Sequence, residues 1–254
     1  MMVAALSRIY KPLGGFLAAL AFAVPAKAAD PLIADLSSRE IAITTDFTGT
    51  ELLLFGAIEG AHAGDVVVVV RGPPRQEVVR RKKRVAGIWV NADSVSFREV
   101  PSFYHVASTR PLTEITTPRA LTGLEIGADR LKFQRVGAAR PGDDAFRKAL
   151  LRNKQRDKLY TGDRGIIKTI GGRLFRTAVV FPTNVPTGTY SVDVHLFRGG
   201  RVVDTKTTPL DVRKVGLEAD IFNFAQQQSA LYGVIAILIA LMAGWLAGAM
   251  FRKT

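Results

Sequence analysis

The sequence predicts a mainly β chain: a β-sandwich with a helical insertion, followed by one C-terminal transmembrane helix. Three observations carry that reading. Short apolar runs bounded by Gly, Pro and Asp recur on both sides of a charged central stretch, which is the pattern of strands. Within that central stretch, residues 112–162 change to helix-start signals and a basic run. Finally, Ser229 to Phe251 is 23 residues without a charge. As a helix it would be about 34 Å long, enough to cross a hydrocarbon core of about 30 Å.

Taken in order, residues 1–28 read as a secretory signal peptide. Arg8 and Lys11 form its positive start and Leu13 to Val24 its apolar run. Pro25 followed by Ala26-Lys27-Ala28 fits the small-x-small cleavage pattern. The exported domain then spans 29–225. Ile41 to Thr45 reads as a short alternating strand and Leu52 to Phe55 and Val66 to Val70 as buried strands, with Gln76 to Arg84 and Ile88 to Val90 as weaker candidates. Pro101 to Ala107 reads as a further strand.

The insertion comes next. Thr117-Pro118 opens a short helix running to Gly127. Pro141-Gly142-Asp143-Asp144 opens a second over Ala145 to Tyr160, with its acids in the first turn where the helix dipole favours them. Ile166 to Ile170, Gly171-Gly172 and Leu174 to Phe181 read as a hairpin with a two-residue turn. Tyr190, Val192, Val194 and Leu196 alternate with Ser191, Asp193 and His195, so one face is apolar and His195 falls on the polar one. Gly199-Gly200 turns the chain into Val202 to Thr207. Pro186-Thr187-Gly188-Thr189-Tyr190 resembles the tyrosine corner of immunoglobulin-like sandwiches, without the cysteine that follows it in antibody domains. That entry makes the predicted sandwich immunoglobulin-like. Two separate small sandwiches are the alternative arrangement.

After the span at 229–251, residues 252–254 form a short tail. With the signal exporting the domain, Arg252 and Lys253 place that tail in the cytoplasm by the positive-inside bias. The expected location is the inner (cytoplasmic) membrane, single-pass, with the domain in the periplasm.

Composition excludes several chemistries. There is no cysteine, so no disulfide, thiol nucleophile or cysteine-held cluster is available. The chain carries 35 Lys and Arg against 22 Asp and Glu, a net +13. The excess belongs to the exported surface, because the signal and tail account for only Arg8, Lys11, Lys27, Arg252 and Lys253. His62, His105 and His195 are far apart and show no metal-binding spacing. Neither a phosphate-binding glycine loop nor a nucleophile elbow is present, so no catalytic, cofactor or metal residue is assigned and no enzyme activity is expected. Nucleic acid is not an expected partner, since the domain is exported and has no recognised module for it.

Two features invite partners. Arg71, Arg75, Arg80, Arg81, Lys82, Lys83 and Arg84 form a dense basic run opposed only by Glu77, suited to concentrating anions such as lipid headgroups or oxyanions. The Arg147 to Lys158 stretch adds a second cluster. On the span, Ala236, Ala240, Gly244 and Gly248 recur every four residues. Small residues at that spacing let helix backbones approach closely, favouring another membrane protein or a second copy as partner.

The layout also resembles a family of transmembrane proteins from alphaproteobacteria that carries no assigned activity. The matching features are the signal-like start, Phe103-Tyr104-His105-Val106-Ala107-Ser108-Thr109-Arg110-Pro111-Leu112, the Pro186 to Tyr190 entry, and Ala230-Leu231-Tyr232-Gly233 opening a span with Gly244-Trp245. The resemblance implies a periplasmic domain and genes neighbouring those of sulfite-exporter-type permeases. Together these readings lead to an expected function as a membrane-anchored accessory protein of an inner-membrane complex. The alternatives are an anion- or lipid-binding module and a membrane-tethered enzyme.

Overall fold

The computed structural model describes residues 31–59, 64–138, 140–162, 164–216 and 224–251. The predicted signal peptide, the tail at 252–254 and His62 lie outside the described residues. The protein is mainly β, with one apolar helix near its C-terminus.

A four-stranded sheet runs in the order β1 (Leu32–Leu36), β3 (Thr50–Ile58), β11 (Leu174–Phe181), β10 (Lys168–Ile170). A six-stranded sheet runs β2 (Glu40–Ile43), β13 (Arg201–Lys214), β12 (Gly188–Arg198), β4 (Asp65–Arg71), β7 (Tyr104–Ser108), β9 (Gly165–Ile166). Buried side chains from both sheets form one hydrophobic cluster. On β1, β3 and β11 of the four-stranded sheet, buried and outward-facing residues alternate. Leu32, Ala34, Leu52, Leu54, Phe175 and Val179 are buried, whereas Ile33, Leu53, Phe55, Leu174 and Val180 lie on the opposite face and are exposed. Gly56 is required beneath Phe175: a Cβ there would come within 2.4 Å of the ring.

Strand β4 explains why the six-stranded sheet has no polar face at its centre. Val66 to Val70 are all buried, so both faces are covered. Register places Val66, Val68 and Val70 on one face with Leu196, Val194 and Val192. Val67 and Val69 share the other face with His195, Asp193, Ser108 and Val106. This second face lies under the insertion, which contains α1 (Leu112–Ile115), α2 (Pro118–Gly123) and α3 (Asp143–Arg156). Ile115, Leu121, Ile126 and Leu131 from that segment join the main core. His195 is therefore buried, which corrects the polar-face expectation. Alternation identified the face correctly, but the insertion covers it.

Three tyrosines lock the connections. Tyr190 donates to the Pro186 carbonyl at 2.6 Å, the hydrogen bond expected of a tyrosine corner. Tyr160 donates to the Pro101 carbonyl at 2.7 Å. Tyr104 donates to the Glu125 carbonyl at 2.7 Å and accepts from the Gly127 amide at 2.8 Å. The last pair holds a turn in which Glu125 has φ +54°.

A third sheet stands apart: β5 (Pro74–Val85), β6 (Ile88–Pro101) and β8 (Gln134–Arg135). Strand β6 runs through residues 91–100 without a break, so the predicted strand from Pro101 is split: Pro101 closes β6 and β7 starts at Tyr104. The β5–β6 turn is Ala86-Gly87, with φ of +48° and +85°. Both values fit the primed turns that match strand twist. Gly199-Gly200 makes a similar two-residue turn, whereas the loop between Ile170 and Leu174 holds three residues and not the two expected. A small second core of Val79, Val95, Phe97, Val100, Phe146 and Leu150 pins α3 to the base of the β5–β6 hairpin. The remaining helix, α4 (Ser229–Phe251), is long and apolar enough to cross a membrane, and none of Ser229–Met250 is buried against the rest of the chain.

Candidate functional site

The basic run predicted from sequence divides into two groups with different surroundings. Arg71 is half-buried at the end of β4. It pairs with Asp193 at 2.5 Å and donates to the Leu124 carbonyl at 2.8 Å, so it ties the insertion to the six-stranded sheet. Arg75 donates to the Thr187 carbonyl at 3.0 Å. Arg80, Arg81, Lys82, Lys83 and Arg84 all lie on the outer part of β5 and are exposed. Among the described residues none of these five makes an ion pair with a carboxylate. Arg81 packs over the Phe146 ring at 4.7 Å, and Arg84 donates to the Gly87 carbonyl at 3.3 Å.

In the second basic cluster, Arg147 and Lys154 are taken up by the fold along one side of α3. Arg147 donates to the carbonyls of Asp129 and Leu131 and lies over Phe133. Lys154 is buried and meets Glu77 of β5 at 2.6 Å. Lys148, Arg152, Arg156 and Lys158 remain exposed. The two clusters do meet, since α3 packs on the hairpin base, but their joint contacts are Lys154–Glu77 and Arg81–Phe146.

Two further surfaces stand out. The outer face of the four-stranded sheet carries Leu53 and Phe55 on β3, flanked in register by Ala178 and by Asp35 and Arg176. Ile33, Ala57 and Leu174 form the next row. Phe55, on the central strand β3, is 45% exposed and Ile33, on the edge strand β1, is 51% exposed, both high for large apolar groups. Sequence reasoning passed over this face because a half-exposed Leu or Phe in an apolar run looks the same as a buried one. The second surface is a groove of about 530 Å³ at the base of the hairpin, whose lining includes Arg71, Glu99, Glu125 and Lys132. Its charges are of both signs, and Arg71 is already engaged with Asp193.

The two described histidines lie on opposite faces of the six-stranded sheet, because His105 is in register with Val70 and His195 with Val67. Both are buried. Burial pulls the His105 pKa down to about 4 and lowers that of His195. Each is held by a threonine hydroxyl, Thr161 at 2.6 Å for His105 and Thr205 at 2.9 Å for His195. Burial likewise pushes the Tyr104 phenol up to about 12. On the span, Ala236, Ala240, Gly244 and Gly248 follow one another along one side of α4, and a Cβ added at either glycine would meet nothing within 4 Å.

A β-rich domain joined, among the described residues, to one helix long and apolar enough to cross a membrane is the layout of a membrane protein. The chain belongs to the family described as "Putative transmembrane protein", whose model matches residues 31–253. Comparison with curated proteins returns no match.

Proposed function

We propose that this protein is a non-enzymatic accessory subunit, anchored by α4 in the inner membrane with its β domain in the periplasm. In this reading it docks on a larger membrane protein through two surfaces. The Ala236–Ala240–Gly244–Gly248 side of α4 packs against a partner span, and the outer face of the four-stranded sheet meets the partner's exposed portion. The observation that carries the reading is that sheet face: Leu53, Phe55, Ile33 and Leu174 lie in adjacent register positions and are open to water. Contiguous apolar area of this kind is the usual mark of a protein interface. In lipid, the helix face adds close backbone approach where no hydrophobic force acts between spans. An anion permease of the sulfite-exporter type is the first candidate partner, by the family association.

The test is mild-detergent purification of the tagged full-length protein from its native membranes. A stoichiometric membrane protein should accompany the wild type. It should be lost from Phe55→Asp and from the Gly244→Leu/Gly248→Leu pair. Recovery of the protein alone, or only with itself, would refute the accessory reading.

A further inference from the structure

We propose that the outer half of the β5–β6 hairpin is a lipid-docking arm that binds anionic phospholipid headgroups and seats its tip in the membrane interface. The inference rests on the membrane anchor and is independent of any protein partner.

Register sets the chemistry of the arm. Arg80, Lys82 and Arg84 are opposite Ser94, Asn91 and Trp89, so Trp89 shares a face with three bases. Lys83 and Val85 are opposite Val90 and Ile88 on the other face. The tip therefore presents Val85 and Ile88 on one face and Trp89 beside Arg84 on the other, with the remaining cations behind it. Val85, Ile88 and Trp89 are 52%, 68% and 64% exposed. The β5 side of the arm carries five consecutive bases, and on the β6 side Asp93 is the sole acid between Ile88 and Ser96. A soluble hairpin gains nothing in water from a bare Trp and Ile at its turn. At a bilayer surface, the bases meet phosphates while Trp takes the interfacial position it favours.

Reach is sufficient. Beyond Val79, the last β5 residue in the second core, the strand projects about 20 Å at the usual rise per residue. Strand β13 ends at Lys214 and helix is present again from Phe224, so the nine residues between them span at most about 32 Å. The arm is thus tethered beside a bilayer and docks intramolecularly, so even modest attraction suffices. An acidic protein surface would satisfy the bases equally well, but not the apolar tip flanked by them on a ribbon only two strands wide.

Trp89 reports directly, because the sequence holds only one other tryptophan, Trp245 in the span. The full chain with Trp245→Phe is reconstituted into vesicles of phosphatidylcholine alone and of equal phosphatidylcholine and phosphatidylglycerol. The readouts are Trp89 emission and quenching by brominated lipid tails. Blue-shifted, lipid-quenched emission is expected in the anionic vesicles and should weaken at high salt, which screens the attraction. The Arg80→Gln/Lys82→Gln/Lys83→Gln variant should cut the docked-to-free ratio about 100-fold, at roughly fivefold per base near an anionic surface. All three side chains are exposed, so far-ultraviolet circular dichroism should be unchanged and the loss attributable to docking. Trp89 emission that stays water-like in both vesicles would overturn the proposal. So would equal quenching in both, which would mean burial without headgroup recognition. Protection of Trp89 in native membranes but not in lipid-only vesicles would assign the arm to a protein and overturn the lipid reading.

Discussion

The contact between Lys154 and Glu77 tests how the arm is held. Lys154 is 7% exposed, and its ammonium lies 2.6 Å from the Glu77 carboxylate, whose side chain is 31% exposed. The two partners are therefore unequal. Glu77→Gln leaves a buried cation without its counter-charge, whereas Lys154→Met leaves a carboxylate that water still reaches. Loss of a charged hydrogen bond of this kind costs about 2 kcal/mol. The contact joins α3 to β5, so the cost falls on opening of the hairpin base and not on the main core, which is a separate cluster. Amide hydrogen exchange on the full chain in detergent reads that opening directly. Glu77→Gln should speed exchange at Val78, Val79 and Val95 about 30-fold, since about 1.4 kcal/mol is a factor of ten. Amides of β4 should be unaffected. Lys154→Met should cost clearly less, and the double variant should resemble Lys154→Met alone. Equal effects from the two single changes, or acceleration spread evenly into β4, would refute both the asymmetry and the separateness of the two cores.

Two further outcomes follow from the buried polar groups. His105 has a native pKa of about 4 against an ordinary 6.5, so between those values the unfolded chain binds the extra proton. Stability should then be full above pH 6.5 and fall as the pH drops toward 4, by about 3 kcal/mol over the window. His195 is lowered by the same cause and steepens the fall in the same direction. Urea titrations at pH 7 and pH 4.5 check this, and a His105→Gln variant should show a shallower slope. Tyr190→Phe removes the hydrogen bond to the Pro186 carbonyl and should cost about 1–2 kcal/mol, read as a lower Tm with unchanged secondary structure.

Much of the fold was legible because local pattern and final environment agree. Leu52 to Phe55 and Val66 to Val70 both read as buried strands; Val66 to Val70 is buried on both faces, whereas Leu53 and Phe55 are exposed on the outer face of their sheet. The Pro186 to Tyr190 entry reads as a tyrosine corner, and the hydroxyl makes the expected bond. The misses share a physical origin. The middle of β6, Asn91 to Ser94, is polar because that part of the ribbon is bare on both faces, so no apolar alternation marks it. Ala86-Gly87 makes a primed turn with an alanine in the left-handed region, where Asn or Gly is the ordinary signal. Period-two alternation placed His195 on the face opposite the core but carried no information about the insertion that covers it. The pairing of Arg71 with Asp193 joins residues 122 positions apart, so the basic run looked like one surface when it is two. The exposed apolar sheet face and the bare hairpin tip are legible only once register is known.

The accessory-subunit account is tested most directly by photo-crosslinking in intact membranes. A photoreactive amino acid is placed singly at Phe55 on the outer sheet face, at Gly244 on α4, and at Val202, an exposed position on β13 in the other sheet. The account predicts one and the same membrane protein crosslinked from Phe55 and from Gly244, with little or none from Val202. Adducts absent from both positions, or equally abundant from Val202, would contradict it.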